Sequence, residues 1–214
     1  MDIALERIAN MRDNKLNLSW LKLTELPPIP DTVVELWCNN NALTSLPPLP
    51  PMLEILYCNH NALTSLPPLV SEGKPPTLRA LYCFNNALIS LPPLPSTLVK
   101  LYCDGNQLVE LPQLGSEGTP SIMEELDCTN NALTELPALV FEDSPTLRIL
   151  YCESNQLTSL PTLPPTLVKL YCGNNPIAYP PPEVLENKVP SICEYIREWM
   201  EENPPTFVKS ANKV

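Results

Sequence analysis

Apolar and polar positions alternate along this chain in one short phrase that returns seven times. A cysteine stands at positions 38, 58, 83, 103, 128, 152 and 172, at intervals of 20, 25, 20, 25, 24 and 20 residues. Five and two residues before each cysteine lie apolar residues, from Val33 and Leu36 to Leu167 and Leu170. Three residues after it comes asparagine (Asn41, Asn61, Asn86, Asn106, Asn131, Asn155, Asn175), and two further on a leucine or isoleucine. An eighth, degenerate phrase precedes these: Leu16, Leu18 and Leu23 fit, but Leu21 stands in the asparagine slot. A first turn has no neighbour on one side, so it can depart from the rest. Outside the phrase the period changes. Ile3, Leu5, Ile8 and Met11 predict a short helix over that open end, and Ile192, Ile196, Trp199 and Met200 form a helical stripe near the other. Ser191 and Glu194 have the spacing of a capping box for that second helix.

Between phrases runs an arm such as Leu-Thr-Ser-Leu-Pro-Pro-Leu-Pro over 43–50, or Leu-Pro-Thr-Leu-Pro over 160–164. Proline fixes φ near −65° and donates no hydrogen bond, so the arm is expected to be extended, not helical. The whole unit, Leu-x-x-Leu-x-Cys-x-x-Asn-x-Leu with its Leu-Pro-x-Leu-Pro arm, resembles the short, bacterial-type leucine-rich repeat. That type is known from effectors injected by type III secretion, and similar repeats occur in other microbial and large-DNA-virus proteins. The resemblance spans roughly residues 16–182, and the closing segment 175–184 resembles the end of many intracellular repeat arrays. Two departures stand out. Those effectors usually carry valine, isoleucine or leucine where this chain has cysteine. Some also carry a large C-terminal ubiquitin-ligase domain, for which the residues after the last repeat leave no room.

The resemblance implies a leucine-rich-repeat solenoid with short parallel β-strands on the concave face, extended or polyproline-like outer arms and helical caps at both ends. The expected organisation is an N-terminal helical cap (1–12), eight repeats (13–182), a C-terminal helical cap (183–203) and a tail (204–214). With turns stacked about 4.8 Å apart, eight of them make a curved body about 35–40 Å long. Leucine and cysteine then point inward, and the residues between them face out.

Composition fits this plan. Most of the 28 prolines belong to the outer arms, while glycine, at 5 residues, is left largely to the longer turns. The net charge of −11 argues against nucleic acid or an anionic membrane as partner, since both favour a positive footprint. No apolar run is long enough to cross a membrane, and the first residues lack the form of a signal peptide. The 8 cysteines invite a disulfide framework, but seven fill a slot equivalent to a core leucine and Cys193 lies on the cap helix. Reduced, buried thiols are expected, and with them an intracellular reducing compartment, such as the cytoplasm, including that of a host cell. The usual zinc spacings are missing and His60 is the only histidine, so no metal and no cofactor is expected.

Function is expected on the outward strand positions. The residue before each cysteine is Trp37, Tyr57, Tyr82, Tyr102, Asp127, Tyr151 or Tyr171, which predicts an aromatic column down the concave face. Such a column can anchor a partner or can simply stack cross-strand, and the sequence leaves both readings open. Phe84 is the apolar outlier in the column just after cysteine. Asp127 breaks the aromatic column, with Asp104, Glu124, Glu125 and Glu153 expected around it, Glu125 beside Lys100 and Glu124 beside Arg148. Residues 104–153 carry ten acidic residues against one basic, a surplus that suits either a basic partner or a solvated face. The longer turns hold Ser71-Glu72-Gly73, Ser116-Glu117-Gly118 and Glu142-Asp143-Ser144, expected on one rim, as binding loops or tolerated insertions. No nucleophile pairs with His60 and no phosphate-binding loop is present, so neither an enzyme nor a small-molecule substrate is expected. The leading expectation is a non-catalytic module that binds a protein or peptide on its concave, tyrosine-lined face. The alternatives are a structural component of a larger particle or scaffold, and the recognition part of an effector or ligase whose catalytic domain is absent here.

Overall fold

The computed structural model describes residues 2–70, 75–114, 121–139 and 146–203. Each phrase supplies one three-residue strand: β1 (Lys15–Asn17), β2 (Glu35–Trp37), β3 (Ile55–Tyr57), β4 (Ala80–Tyr82), β5 (Lys100–Tyr102), β6 (Glu125–Asp127), β7 (Ile149–Tyr151) and β8 (Lys169–Tyr171). They form one parallel sheet in sequence order, in unbroken register from Leu16↔Leu36 to Leu150↔Leu170. Among the described residues the outer arms form neither helix nor strand, as expected where frequent prolines remove backbone donors. The fold is a leucine-rich-repeat solenoid.

Two side-chain columns hold the turns together. The first is apolar: the central leucines of β1 to β7 and the cysteines from Cys38 to Cys152 are at most 1% exposed. Burying a leucine of this kind contributes about 1.5–3 kcal/mol. All eight cysteines are free thiols, and Cys172, in the last turn, is the one left half-buried. Burial pushes the thiol of Cys38 up to about 12, so these groups act as small hydrophobes and not as nucleophiles.

The second column is the asparagine ladder. Asn61 donates through Nδ2 to the carbonyls of Cys38 (3.1 Å) and Cys58 (3.0 Å), and its Oδ1 accepts from the Leu43 amide (3.0 Å). Asn86, Asn106, Asn131, Asn155 and Asn175 repeat this arrangement. Each asparagine therefore clamps its own turn to the turn before it. That direction explains the degenerate first phrase: Asn41 already serves Leu21 and Leu23, and Leu21 has no earlier turn to clamp. Two residues after each cysteine the backbone enters the left-handed region, at Asn40, His60, Asn85, Gly105, Asn130, Ser154 and Asn174. Asparagine and glycine tolerate that region best, and the column is built mostly from them.

The ends differ from the sequence reading in detail. Helix α1 (Asp2–Ala9) covers the first turn, but it does so with Ala4 and Ile8, joined by Met11 just beyond it, while Ile3 and Leu5 stay exposed. Its Arg7 donates to the carbonyls of Asn17 (2.9 Å) and Ser19 (3.4 Å), replacing donors that a preceding turn would supply. At the other end two helices follow, α2 (Pro182–Leu185) and α3 (Val189–Glu202). The expected capping box does not form: α3 starts three residues earlier, with Lys188 in place of Ser191 as its N-cap and no side-chain cap, so Ser191 lies inside the helix. Pro190 accounts for the early start, because its fixed φ suits the first helical turn. Ile192, Cys193 and Ile196 of α3 are buried, whereas Trp199 packs beside the Tyr179 ring at 4.0 Å and stays partly exposed.

Candidate functional site

The register fixes the concave face. Strand residues alternate, so the central leucine enters the core and its two neighbours face the open side, half-buried in most turns. The second of these neighbours forms the aromatic column, and the pairings Trp37↔Tyr57, Tyr57↔Tyr82, Tyr82↔Tyr102, Tyr102↔Asp127, Asp127↔Tyr151 and Tyr151↔Tyr171 run along it. The rings stack. Trp37–Tyr57, Tyr57–Tyr82 and Tyr82–Tyr102 have centroids 5.6, 4.5 and 5.1 Å apart. Beyond Asp127, Tyr151 and Tyr171 stack at 4.9 Å. The face thus carries a stack of four rings, a gap at Asp127 and a stack of two.

The first neighbour forms a parallel column, from Lys15, Glu35, Ile55 and Ala80 to Lys100, Glu125, Ile149 and Lys169. Here Lys15 pairs with Glu35 (2.9 Å) and Lys100 with Glu125 (2.8 Å). Tyr102 also donates its hydroxyl to Glu125, so this carboxylate ties the two columns together. Lys100 and then Tyr102 hold the Glu125 carboxyl below its usual range. The Lys100–Glu125 contact was legible in the sequence; the tyrosine's part in it was not. Glu124 and Arg148 are neighbours only through the backbone, where the Arg148 amide donates to the Glu124 carbonyl (2.9 Å). Among the described residues their side chains form no ion pair.

Asp127 turns back on its own chain, its Oδ1 accepting from the Thr129 amide at 3.0 Å. Asn17, in the same column of the first turn, does the same with Ser19. Short polar residues here thus trade a ring stack for a local backbone bond, a signal the spacing Asp-x-Thr and Asn-x-Ser carries in the sequence. Asp104 lies close to Asp127, and burial, then Asp127, pushes its carboxyl up to about 6. Phe84 is half-buried, its ring edge-on to His60 at 5.2 Å. The three expected rim insertions, in 71–74, 115–120 and 140–145, and the tail 204–214 lie outside the described residues.

A cleft on the outer arms is lined, among the described residues, by apolar groups such as Pro48, Leu53, Pro68, Pro75 and Leu78, with no acid or base among those described residues. Among the described residues no group of three or more His, Cys, Asp or Glu is arranged to hold a metal ion. Among them, too, no helix is long and apolar enough to cross a membrane.

The chain matches no protein-family model and no curated protein. Solved structures do resemble it. YopM from Yersinia enterocolitica is 32% identical with a TM-score of 0.60, over 81% of this chain and 41% of that one. YopM from Yersinia pestis, a leucine-rich effector protein, is 30% identical with a TM-score of 0.69, over 81% and 54%. A Shigella effector leucine-rich-repeat domain is 31% identical with a TM-score of 0.70, over 86% of this chain and 81% of the domain. This chain thus spans about half, or less, of the two Yersinia chains and most of the Shigella domain. Repeat domains of this kind are in general protein-binding modules and typically non-catalytic. The chain belongs to the leucine-rich-repeat family, and its turns of about 20 residues stack into the same parallel solenoid as those of YopM and the Shigella effector domain.

Proposed function

We propose that the concave face captures a protein or peptide partner, with Trp37, Tyr57, Tyr82 and Tyr102 as the main anchors and Tyr151 and Tyr171 as a second, smaller contact. The observation that carries this reading is the four-ring stack, whose rings are half-buried and so remain partly accessible to solvent. Rings already held by their neighbours lose little freedom when a partner covers them, which favours affinity. Tyrosine and tryptophan are also the side chains that most often anchor interfaces. The test is a Tyr82→Ala/Tyr102→Ala double variant in a partner-capture assay. Loss of capture by a folded variant supports the concave face; undiminished capture overturns it.

A further inference from the structure

The aromatic column is interrupted once between its two stacks, and the interruption has a shape and a charge. Tyr102 and Tyr151 stand on either side of Asp127, two rungs apart, which by strand spacing is roughly 9–10 Å. Aspartate is shorter than tyrosine by a whole ring, so the column has a gap one ring deep with a carboxylate at its base. Both walls are braced from behind: Tyr102 by stacking on Tyr82 at 5.1 Å and by its bond to Glu125, Tyr151 by stacking on Tyr171 at 4.9 Å. A flat group centred in the gap would lie about 4.5–5 Å from each ring, the spacing the column's own neighbours keep, from 4.5 to 5.6 Å. Asp104 and Glu153 flank Asp127 in the column just after cysteine, and among the described residues none of the three has an ion-pair partner. Lys100 is already engaged by Glu125. Lys169 faces Ile149 on the edge strand β8 and makes no ion pair among the described residues.

We infer that the gap at Asp127 receives an arginine side chain from a basic peptide segment of the partner, its guanidinium taking the place of the missing ring. This rests on the concave-face reading and gives its partner a chemistry. Guanidinium is planar and weakly hydrated, so it stacks between two aromatic faces and presents a fork of donors to a carboxylate. An ammonium fits the charge but not the shape, and a phenyl ring fits the shape but not the charge. The chain's surplus of acid over base around this point complements such a segment.

Three capped peptides, Gly-Ser-Xaa-Ser-Gly with Xaa as Arg, Lys or Phe, distinguish these cases when titrated into the isotope-labelled protein and followed by amide chemical shifts. The arginine peptide is expected to shift Asp127, Thr129 and Tyr151 saturably, with the lysine peptide about fivefold weaker and the phenylalanine peptide weaker again. Asp127→Asn should weaken the arginine peptide about tenfold by removing the charge. Asp127→Tyr, which restores the residue the column uses elsewhere and so keeps the fold, should abolish its binding. Equal binding of arginine and lysine, strongest binding of phenylalanine, unchanged binding by Asp127→Tyr, or no binding at all would overturn the slot. Shifts centred on Tyr57 and Tyr82 would sink the slot and leave the concave-face reading standing, whereas shifts confined to the outer arms would sink both.

Discussion

The asparagine ladder and the aromatic column run side by side through the same turns, yet they vary very differently. After the first turn every asparagine slot is filled by asparagine, and its amide bonds two turns at once. The aromatic column gives way at Asn17 and again at Asp127. The difference follows from what a substitution leaves behind. Removing a ladder amide strands buried donors and acceptors in two adjacent turns, whereas removing a ring opens space to solvent. Uniformity on the inside therefore reports what each turn needs in order to stack. Departures on the outside are tolerated by the fold, and this makes them the informative positions for recognition.

The largest effect should come from breaking the ladder. Asn155 is buried, donates to the carbonyls of Cys128, Cys152 and Glu153, and accepts from Leu133. Asn155→Ala should cost about 3–4 kcal/mol in urea unfolding, since several of these groups lose their partners without reaching water. A cost below about 1 kcal/mol would show that the ladder is not what joins the turns. Filling the aromatic gap should act more gently and with opposite sign. Asp127→Tyr joins the two stacks into one, gaining two cross-strand ring contacts, an expected stabilisation of about 0.5–1.5 kcal/mol.

The smallest effect is electrostatic. Asp104 has a carboxyl pushed up to about 6 by burial and by Asp127. Its folded form therefore holds a proton that the unfolded chain has already released, so rising pH between about 4 and 6 lowers stability. Asp104→Asn should unfold at a higher temperature than the parent at pH 7, and the advantage should vanish as pH is lowered toward about 4. An advantage independent of pH would mean that charge is not the cause.

What the sequence made legible was whatever the repeat enforces. The spacing of Leu36, Cys38, Asn41 and Leu43 predicts strand, core slot and ladder, because each is repeated seven times with the same physical demand. Lys100 beside Glu125 was readable for the same reason: a shared register puts them on adjacent rungs. Features made once were harder to see. Ala4 covers the first turn in place of Ile3 and Leu5, since one helical turn decides which face meets the core. The early start of α3 depends on Pro190, a signal that competed with the Ser191–Glu194 spacing and prevailed. Glu124 and Arg148 also lie on adjacent rungs, but exposed side chains have many rotamers, and adjacency in the register does not fix an ion pair. The stack of Trp37, Tyr57, Tyr82 and Tyr102 was legible as a column; the bracing of Tyr102 by Glu125 and the turn at Asp127 were not, because both depend on side-chain reach.

The central claim is that the aromatic column binds while the leucine–cysteine and asparagine columns hold the fold. Partner affinity and unfolding midpoint, measured together on the Tyr82→Ala/Tyr102→Ala variant, test it most directly. The account predicts a cooperative unfolding transition, lowered by about 1–3 kcal/mol for the lost ring contacts, together with loss of partner binding. A variant that stays folded and binds its partner as tightly as the parent would contradict it.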